Sequence, residues 1–205
     1  MATIVFAIAA YLIGSLSFAV IVSRLFKLPD PHSYGSGNPG ATNVLRTGKK
    51  LAAALTLAGD TGKGALAVLL ARHFSADYGV ETAGIALVAL AVFLGHIYPV
   101  FFGFKGGKGV ATALGILCAI DLRLGLATLA SWFVVVLLFR MVSLASIIAA
   151  VSASACTAWL FGAMSPLLPA VLVLAALLIY RHKENIGRLL AGTESRIGAK
   201  KPDSA

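Results

Sequence analysis

KGVATALGILCAI, residues 108–120, decides how many times this chain crosses a membrane. As a helix with a rise of ~1.5 Å per residue, the segment spans only ~20 Å, whereas the hydrocarbon core of a bilayer is ~30 Å thick. It therefore either crosses where the bilayer is thinned or filled by protein, or re-enters on one side. The other apolar stretches are longer, and they occupy residues 3–23, 51–71, 82–102, 124–139, 141–161 and 166–180.

The overall composition shows what kind of protein contains this segment. Hydrophobic residues make up 59% of the 205 residues, charged residues make up 12%, and the mean hydropathy is +0.92. A soluble domain carries about 25% charged residues and could not bury so much apolar surface. The same numbers exclude a disordered chain. The composition therefore predicts an all-α integral membrane protein.

The distribution of positive charge decides the topology, because cytoplasmic loops are enriched in Lys and Arg. If 108–120 crosses, fourteen of the 17 Lys and Arg residues lie on one side, with Arg72 and Arg123 on the other; if it does not, the split is eight and eight. We therefore predict seven transmembrane helices, the fourth one short, with the N-terminus outside and the C-terminus in the cytoplasm. The fourteen residues are Arg24, Lys27, Arg46, Lys49, Lys50, Lys105, Lys108, Arg140, Arg181, Lys183, Arg188, Arg196, Lys200 and Lys201.

This topology brings three polar segments to the cytoplasmic face of one transmembrane domain, residues 1–205. They are the loop 24–50, the loop 102–112 and the tail 181–205. The first positive charge is Arg24, so the stretch before it lacks the basic start of a signal peptide and is interpreted as a retained helix. Because the outer loops are short and bland, we expect the chemistry at the cytoplasmic face.

The first polar segment contains SYGSGNPGATNVLR, residues 33–46. Glycine permits backbone conformations in which successive N–H groups point the same way and bind phosphate oxygens. Arg46 can add a bidentate, charged contact. The alternative is a polar turn between helices, which needs only about two or three such residues. The density of glycine, hydroxyl and amide residues favours phosphate binding.

The second polar segment reads FGFKGGKGVAT, residues 102–112, and directly precedes the short helix. A helix N-terminus favours anions, the glycines allow close backbone approach, and Lys105 and Lys108 supply full charges. The GxxxxGK[ST] pattern of a nucleotide-binding loop is not matched, so a nucleotide is not implied. Positive-inside topology explains the two lysines but not the glycines around them.

Two further polar groups have open interpretations. Asp60 and Lys63 lie on one face of the second apolar helix and either neutralise each other or face a substrate. His182 and Asn185, at the start of the tail, share a helical face; they are either a basic juxtamembrane anchor or a site in which His182 acts as a base. His96 is more weakly indicated.

Missing patterns narrow the chemistry. The sequence has no HExxH metal helix, no GxSxG nucleophile elbow, no zinc spacing of cysteines and no histidine followed by aspartate after four residues. We therefore expect no metal or other cofactor. Membrane topology, anionic lipid and an anionic substrate explain the positive charge, so we expect no nucleic acid partner.

Three stretches of the sequence resemble the motifs of a known protein family. GSGNPGATNVLR at 35–46, GHIYPVFFGFKGGKGVAT at 95–112 and HKENIGRLLAGTE at 182–194 resemble the three cytoplasmic motifs of the bacterial acyl-phosphate:glycerol-3-phosphate acyltransferases, the PlsY family. The resemblance covers the whole chain. It implies transfer of a fatty acyl group from acyl phosphate to the 1-hydroxyl of glycerol 3-phosphate, giving lysophosphatidic acid and phosphate in the first acylation of phospholipid biosynthesis. It also implies the bacterial plasma (inner) membrane and a separate enzyme that supplies acyl phosphate.

The resemblance, together with the charge and glycine patterns described above, predicts roles for individual residues. Catalytic roles are predicted for Ser36, Arg46, Lys105, His182 and Asn185. Substrate binding is predicted for Gly37, Asn38, Gly40, Thr42, Asn43, Gly106, Gly107, Lys108, Gly109 and Ser143. Structural roles are predicted for Glu184, Asp60 and Lys63.

A mechanism follows from these roles as a hypothesis. The acyl tail lies in a groove between helices that is open to membrane lipid. The phosphate of acyl phosphate rests on the loop 37–42, and glycerol 3-phosphate is held by Arg46, Lys105 and His182. Acyl phosphate is already activated, so the protein mainly positions the substrates and neutralises charge. Either His182 or a substrate phosphate oxygen accepts the proton. A phosphate or organophosphate transporter and a lipid-binding scaffold are the alternatives; the transporter should show similar halves.

Overall fold

A computed structural model describes residues 1–198, and within that range the chain is helical with irregular connections and no strand. Residues 199–205, which include Lys200 and Lys201 of the predicted tail, lie outside the described range. A short 3₁₀ helix covers Val100–Phe102. The helices are α1 Ala2–Gly14, α2 Phe18–Leu25, α3 Ala41–Leu45, α4 Lys50–His73, α5 Ser75–Tyr78, α6 Thr82–Ile97, α7 Val110–Ile120, α8 Leu122–Phe139, α9 Val142–Phe161, α10 Leu167–Arg181 and α11 Lys183–Leu190.

Each predicted apolar stretch is mostly helical, which confirms the all-α fold. Among residues 1–198, five helical segments are long and apolar enough to cross a bilayer: α1 with α2, α4, α6 with the 3₁₀ turn, α8 and α9. The helices α7 and α10 are apolar but shorter. Helices α4, α7 and α9 begin, and α6, α8 and α10 end, at the same end of the bundle, where the polar loops lie.

The first apolar stretch differs from the single helix predicted over 3–23. It breaks between Gly14 and Phe18. The Leu16 carbonyl, which an unbroken helix would bond internally, instead accepts a hydrogen bond from Lys63 Nζ at 2.6 Å. The hydroxyl of Ser15 donates to the Tyr11 carbonyl at 2.9 Å. The break therefore supplies an acceptor for a lysine buried inside the bundle.

The short helix α7 is held tightly against α4. A Cβ added to Gly64 would lie 2.4 Å from the Thr112 carbonyl oxygen, and one added to Gly115 would lie 1.9 Å from that of Thr61. These glycines let the two backbones approach closely, as small residues do between helices in lipid. At the other end of α7, Arg72 donates to the carbonyls of Ala119 and Ile120, the latter at 3.0 Å. These bonds satisfy carbonyls that a helix leaves unpaired at its C-terminus.

Candidate functional site

A cavity of about 1020 Å³ runs from the polar loops into the bundle. Its mouth is lined by the loop 35–46, by the start of α7 and by residues 182–197. Its deeper walls come from α7, α8, α9 and α10 and are almost entirely apolar. The cavity therefore joins a charged, hydrogen-bonding mouth to an apolar interior. Of the predicted catalytic residues, it brings together Ser36, Arg46, His182 and Asn185.

Asn43 lines the cavity and also holds the first loop together. Its side chain accepts from the Ser36 N–H at 3.0 Å and donates to the carbonyls of Pro31 and Tyr34, at 2.8 and 3.1 Å. The residue is 3% exposed. Gly35 has φ +62, and a Cβ there would lie 2.2 Å from Asn43 Oδ1. Asn43 thus has a structural role in the loop, and its predicted contact with substrate stays a prediction.

The other polar residues of the first loop are available to a ligand. Ser36 and Arg46 line the cavity and have exposed surface, and Asn38 and Thr42 also line it. Gly40 lines the cavity, and a Cβ there would meet only the Asn38 amide, at 3.3 Å. Asn43 therefore fixes the loop to the protein, and the side of the loop that faces the cavity is open to a ligand.

The second loop places its two lysines differently. Lys105 is exposed and does not line the cavity, and its carbonyl bonds to the ring of His32 at 3.0 Å. Lys108 lines the cavity, and its Nζ donates to Asn185 Oδ1. Gly109, with φ +88, caps the N-terminus of α7, where unpaired N–H groups face the mouth. Of the two lysines predicted for the site, the structure thus places Lys108 at the cavity and Lys105 outside it.

Gly106 and Gly107 are also placed differently from the prediction. They do not line the cavity but pack on the end of α6. A Cβ on Gly106 would lie 2.1 Å from the His96 carbonyl oxygen, and one on Gly107 would lie 2.3 Å from His96 Nε2. Close packing therefore explains these glycines, and the substrate contact predicted for them stays a prediction.

Arg181, which the sequence did not single out, fixes this loop to the end of α10. Its guanidinium donates to the carbonyls of Gly106 and Gly107 at 2.7 and 3.1 Å. It also lies over the ring of Tyr98, 5.9 Å from the centroid. Within its run of juxtamembrane basic residues, nothing in the sequence distinguishes this arginine from an interfacial anchor.

His182 is held as a neutral imidazole with one nitrogen available. Its Nδ1 lies 2.8 Å from the Leu178 carbonyl, which can only accept, so Nδ1 carries the proton and Nε2 has the free lone pair. Burial lowers the pKa of His182 to about 4, and the nearby Lys108 charge contributes in the same direction. The ring lines the cavity, so an unprotonated Nε2 is present there at neutral pH.

The buried and bonded acid of the third motif is Glu194, and the structural role predicted for Glu184 stays a prediction. Glu184 is exposed, whereas the Glu194 side chain is 5% exposed, accepts from Asn185 Nδ2 at 2.6 Å and pairs with Arg188 at 2.7 Å. Burial favours the protonated acid, but the Ser143 hydroxyl, Asn185 and Arg188 more than offset it. The pKa of Glu194 is therefore lowered.

Residues 193–197 lie across the cavity mouth. All five line it, and the Ile197 N–H donates to the Arg140 carbonyl at 2.7 Å. The sequence motif ends at residue 194, so the covering role of 195–197 was not foreseen. Because Glu194 lies in this segment, its bonds to Asn185 and Arg188 fix the cover to α11.

The predicted pair of Asp60 and Lys63 forms inside the bundle. Asp60 Oδ1 lies 2.9 Å from Lys63 Nζ and 3.6 Å from His96 Nδ1. Asp60 and His96 line the cavity, whereas Lys63 turns to Asp60 and Leu16 and does not. The pairing explains how these charges are buried in an apolar environment.

Ser143, at the start of α9, places a buried hydroxyl at the mouth. It lines the cavity and is 5% exposed. Its Oγ lies beside the Glu194 carboxylate, whose charged form it favours. The hydroxyl therefore belongs to the group of polar side chains around Glu194.

These features define a class: an integral membrane protein with an apolar cavity between its helices and a mouth lined by Arg46 and Lys108. The family model described as glycerol-3-phosphate acyltransferase matches residues 4–192. The chain therefore belongs to the glycerol-3-phosphate acyltransferase family, as its three motifs indicated.

Individual relatives are similar over almost the whole chain. A glycerol-3-phosphate acyltransferase of Herminiimonas arsenicoxydans is 62% identical over 98% of this chain and 98% of its own length. One of Cupriavidus necator is 60% identical over 98% and 99%. The crystal structure of PlsY, an integral membrane glycerol 3-phosphate acyltransferase in its glycerol 3-phosphate form, superposes with a TM-score of 0.89 at 41% identity, covering 97% of this chain and 96% of that one. Its lysophosphatidic acid form gives 0.87.

Proposed function

We propose that this protein transfers a fatty acyl group from acyl phosphate to the 1-hydroxyl of glycerol 3-phosphate, giving 1-acyl-glycerol 3-phosphate and phosphate. The observation that carries the proposal is the cavity, which joins an apolar interior for an acyl chain to a mouth with Arg46, Lys108 and His182 for phosphate and proton transfer. Family membership supports the same reaction.

The topology in the proposal has seven transmembrane helices, with α1 and α2 together forming the first and α7 the short fourth. The N-terminus is outside and the C-terminus in the cytoplasm, because this orientation puts the positive charge on the cytoplasmic side. Residues 1–205 then form one domain in the bacterial plasma (inner) membrane. Its cytoplasmic mouth is reached by glycerol 3-phosphate and by acyl phosphate from a separate soluble or peripheral enzyme.

The chemical step is direct attack. The glycerol 1-hydroxyl oxygen forms a bond to the carbonyl carbon of acyl phosphate, and the bond from that carbon to the bridging phosphate oxygen breaks. The electron pair leaves with inorganic phosphate, and the hydroxyl proton passes to His182 Nε2 or to a phosphate oxygen. No covalent enzyme intermediate is needed because the donor is already an activated anhydride.

The charged side chains position the two anions. Arg46 and Lys108 neutralise substrate phosphate, and the free N–H groups at the start of α7 add a partial positive charge. Lys108 takes the role that the sequence analysis gave to Lys105. Ser36 and Ser143 orient the substrates through their hydroxyl groups, and Asn185 holds Lys108 in place.

The decisive experiment compares acyl donors. Purified protein is incubated with glycerol 3-phosphate and either palmitoyl phosphate or palmitoyl-CoA, and lysophosphatidic acid and phosphate are measured. We expect product with palmitoyl phosphate only, and a Lys108→Ala variant serves as the negative control.

Product with the thioester would contradict the donor assignment. Binding of glycerol 3-phosphate without product from either donor would favour a transporter, and an acyl-Ser36 adduct detected by mass spectrometry would replace direct attack with two steps.

A further inference from the structure

The apolar part of the cavity ends at one depth on three separate helices. Counted from the cavity end of each helix, the deepest lining residues are Thr128 on α8, Ala153 on α9 and Val171 on α10. Each is ten or eleven residues from that end, which is ~15–16 Å at ~1.5 Å per residue. Because the lining ends at the same depth on α8, α9 and α10, the cavity has a common closed end there, which we call its floor.

Buried side chains close that floor. About one turn deeper lie Leu124, Thr157 and Leu167, which are 0%, 0% and 5% exposed and do not line the cavity. The Thr157 hydroxyl bonds back to the Ala153 carbonyl at 2.7 Å, so its polar group is already satisfied. The cavity is thus a blind pocket rather than a channel through the bundle.

The depth suits one lipid acyl chain. Half of a ~30 Å hydrocarbon core is ~15 Å, the thickness that one layer of membrane acyl chains fills. The mouth end carries Arg46, Lys108 and the Ser143 hydroxyl, so a ligand with an oxygen-rich anionic head and one apolar tail matches the cavity along its length.

We propose that Ala149 and Ala153 of α9 set the length of the acyl chain that the enzyme accepts. This inference rests on the proposed function and deepens it. Both residues line the cavity and are 5% and 3% exposed. They lie four residues apart, so a larger side chain at Ala153 raises the floor and one at Ala149 blocks the cavity ~6 Å nearer the mouth.

The test measures kcat/KM for dodecanoyl, tetradecanoyl, hexadecanoyl and octadecanoyl phosphate. We expect Ala153→Leu to lose at least about tenfold on the two longest donors while keeping dodecanoyl transfer within about twofold of wild type. Excluding two methylene groups from an apolar wall accounts for a loss of about 15-fold. Ala149→Leu should also lose tetradecanoyl transfer.

The matched control is Val151→Leu on the same helix. Val151 is 57% exposed on the outer surface and does not line the cavity, so its variant should keep the wild-type ranking of chain lengths. Retained dodecanoyl transfer shows that the variants are folded. Equal loss on every chain length, or an unchanged ranking in both alanine variants, would overturn the proposal.

A second measurement does not depend on turnover. Thermal stabilisation by dodecyl, tetradecyl, hexadecyl and octadecyl phosphate, which cannot transfer an acyl group, reports binding alone. We expect the preferred length to shorten in the same order. If wild type transferred no acyl chain but the variants still shifted this ranking, the proposed reaction would be wrong and the chain-length assignment would stand. An unshifted ranking here would overturn the assignment.

Discussion

The two glycine-rich loops look alike in sequence but use glycine for different reasons. In the first loop, a Cβ on Gly40 would meet only a side-chain amide at 3.3 Å, and the residue lines the cavity. In the second, Cβ atoms on Gly106, Gly107 and Gly109 would lie 2.1–2.3 Å from atoms of His96 or Phe93. Gly35 of the first loop also packs closely, on Asn43, but the cavity side of that loop is open to a ligand, whereas most of the second loop is packed into the bundle.

This difference assigns ligand recognition to the first loop and structural support of the bundle to most of the second. The first loop presents Ser36 and Arg46 to the cavity and is held from behind by Asn43. The second loop presents only its end, Lys108 and Gly109, and its remaining residues connect α6 to α10 through Arg181. A glycine-rich, basic stretch therefore does not by itself indicate a phosphate cradle, because packing can require the same composition.

The largest expected effect separates the two lysines of the second loop. Lys108→Ala should lower kcat/KM by about 10²- to 10³-fold, because it removes a charge that neutralises substrate phosphate. Lys105→Ala is the matched control and should change it by less than about threefold, since Lys105 lies outside the cavity. Steady-state kinetics with palmitoyl phosphate measure both. Equal losses would mean that the whole second loop contacts substrate.

The pH dependence of folding stability tests whether His182 is buried at the mouth of the cavity. His182 has a pKa of about 4 instead of 6.5, mainly because it is buried, so between these values the unfolded chain binds a proton that the folded chain does not. Stability should therefore fall as the pH falls from about 6.5 to 4, by about 3 kcal/mol. Thermal denaturation of wild type and His182→Gln over this range should show a smaller loss in the variant. If wild type and variant lost the same amount of stability over this pH range, His182 would be exposed to solvent.

Substitution of one glycine in each loop tests the comparison directly. Gly107→Ala should destabilise the protein by about 1–3 kcal/mol, because the methyl group meets the His96 ring. Gly40→Ala should change stability by less than about 0.5 kcal/mol, since the Gly40 backbone is extended and the methyl group enters the cavity. Denaturation midpoints measure both. A larger loss of stability in Gly40→Ala than in Gly107→Ala would contradict the distinction between the two loops.

The smallest expected effect is a gain in stability away from both loops. Gly62 lies inside α4, and a Cβ there would meet nothing within 4 Å. Gly62→Ala should stabilise the helix by about 0.5–1 kcal/mol because it lowers the backbone entropy lost on folding. Gly64→Ala on the same helix should instead destabilise, since its Cβ would meet the Thr112 carbonyl oxygen.

Sequence patterns predicted the helices because apolar stretches of membrane length are unambiguous. The short helix was predicted over 108–120 and is found over Val110–Ile120. The break after Gly14 was not predicted, because it depends on Lys63, which is remote in sequence. A purely local pattern shows where a charge is buried but not which backbone group will accept from it.

The site was predicted as a set of motifs but not as an arrangement. Lys105 and Lys108 are equivalent by composition, and only the folded loop turns one to the cavity and the other away. Glu184 and Glu194 are likewise distinguished by the path of the tail across the mouth. Arg181 was missed because its partners are backbone carbonyls, which leave no signature in a sequence.

The partners of the charged residues in α4 imply an order of events during biosynthesis. Lys63 pairs with Asp60 on its own helix and with Leu16, 47 residues earlier, so its partners already exist when the ribosome completes α4. Arg72 must wait for Ala119 and Ile120, but it lies at the exposed end of α4, where water can hydrate it meanwhile. The only lysine deep within α4 therefore never enters the membrane unpaired as the chain emerges.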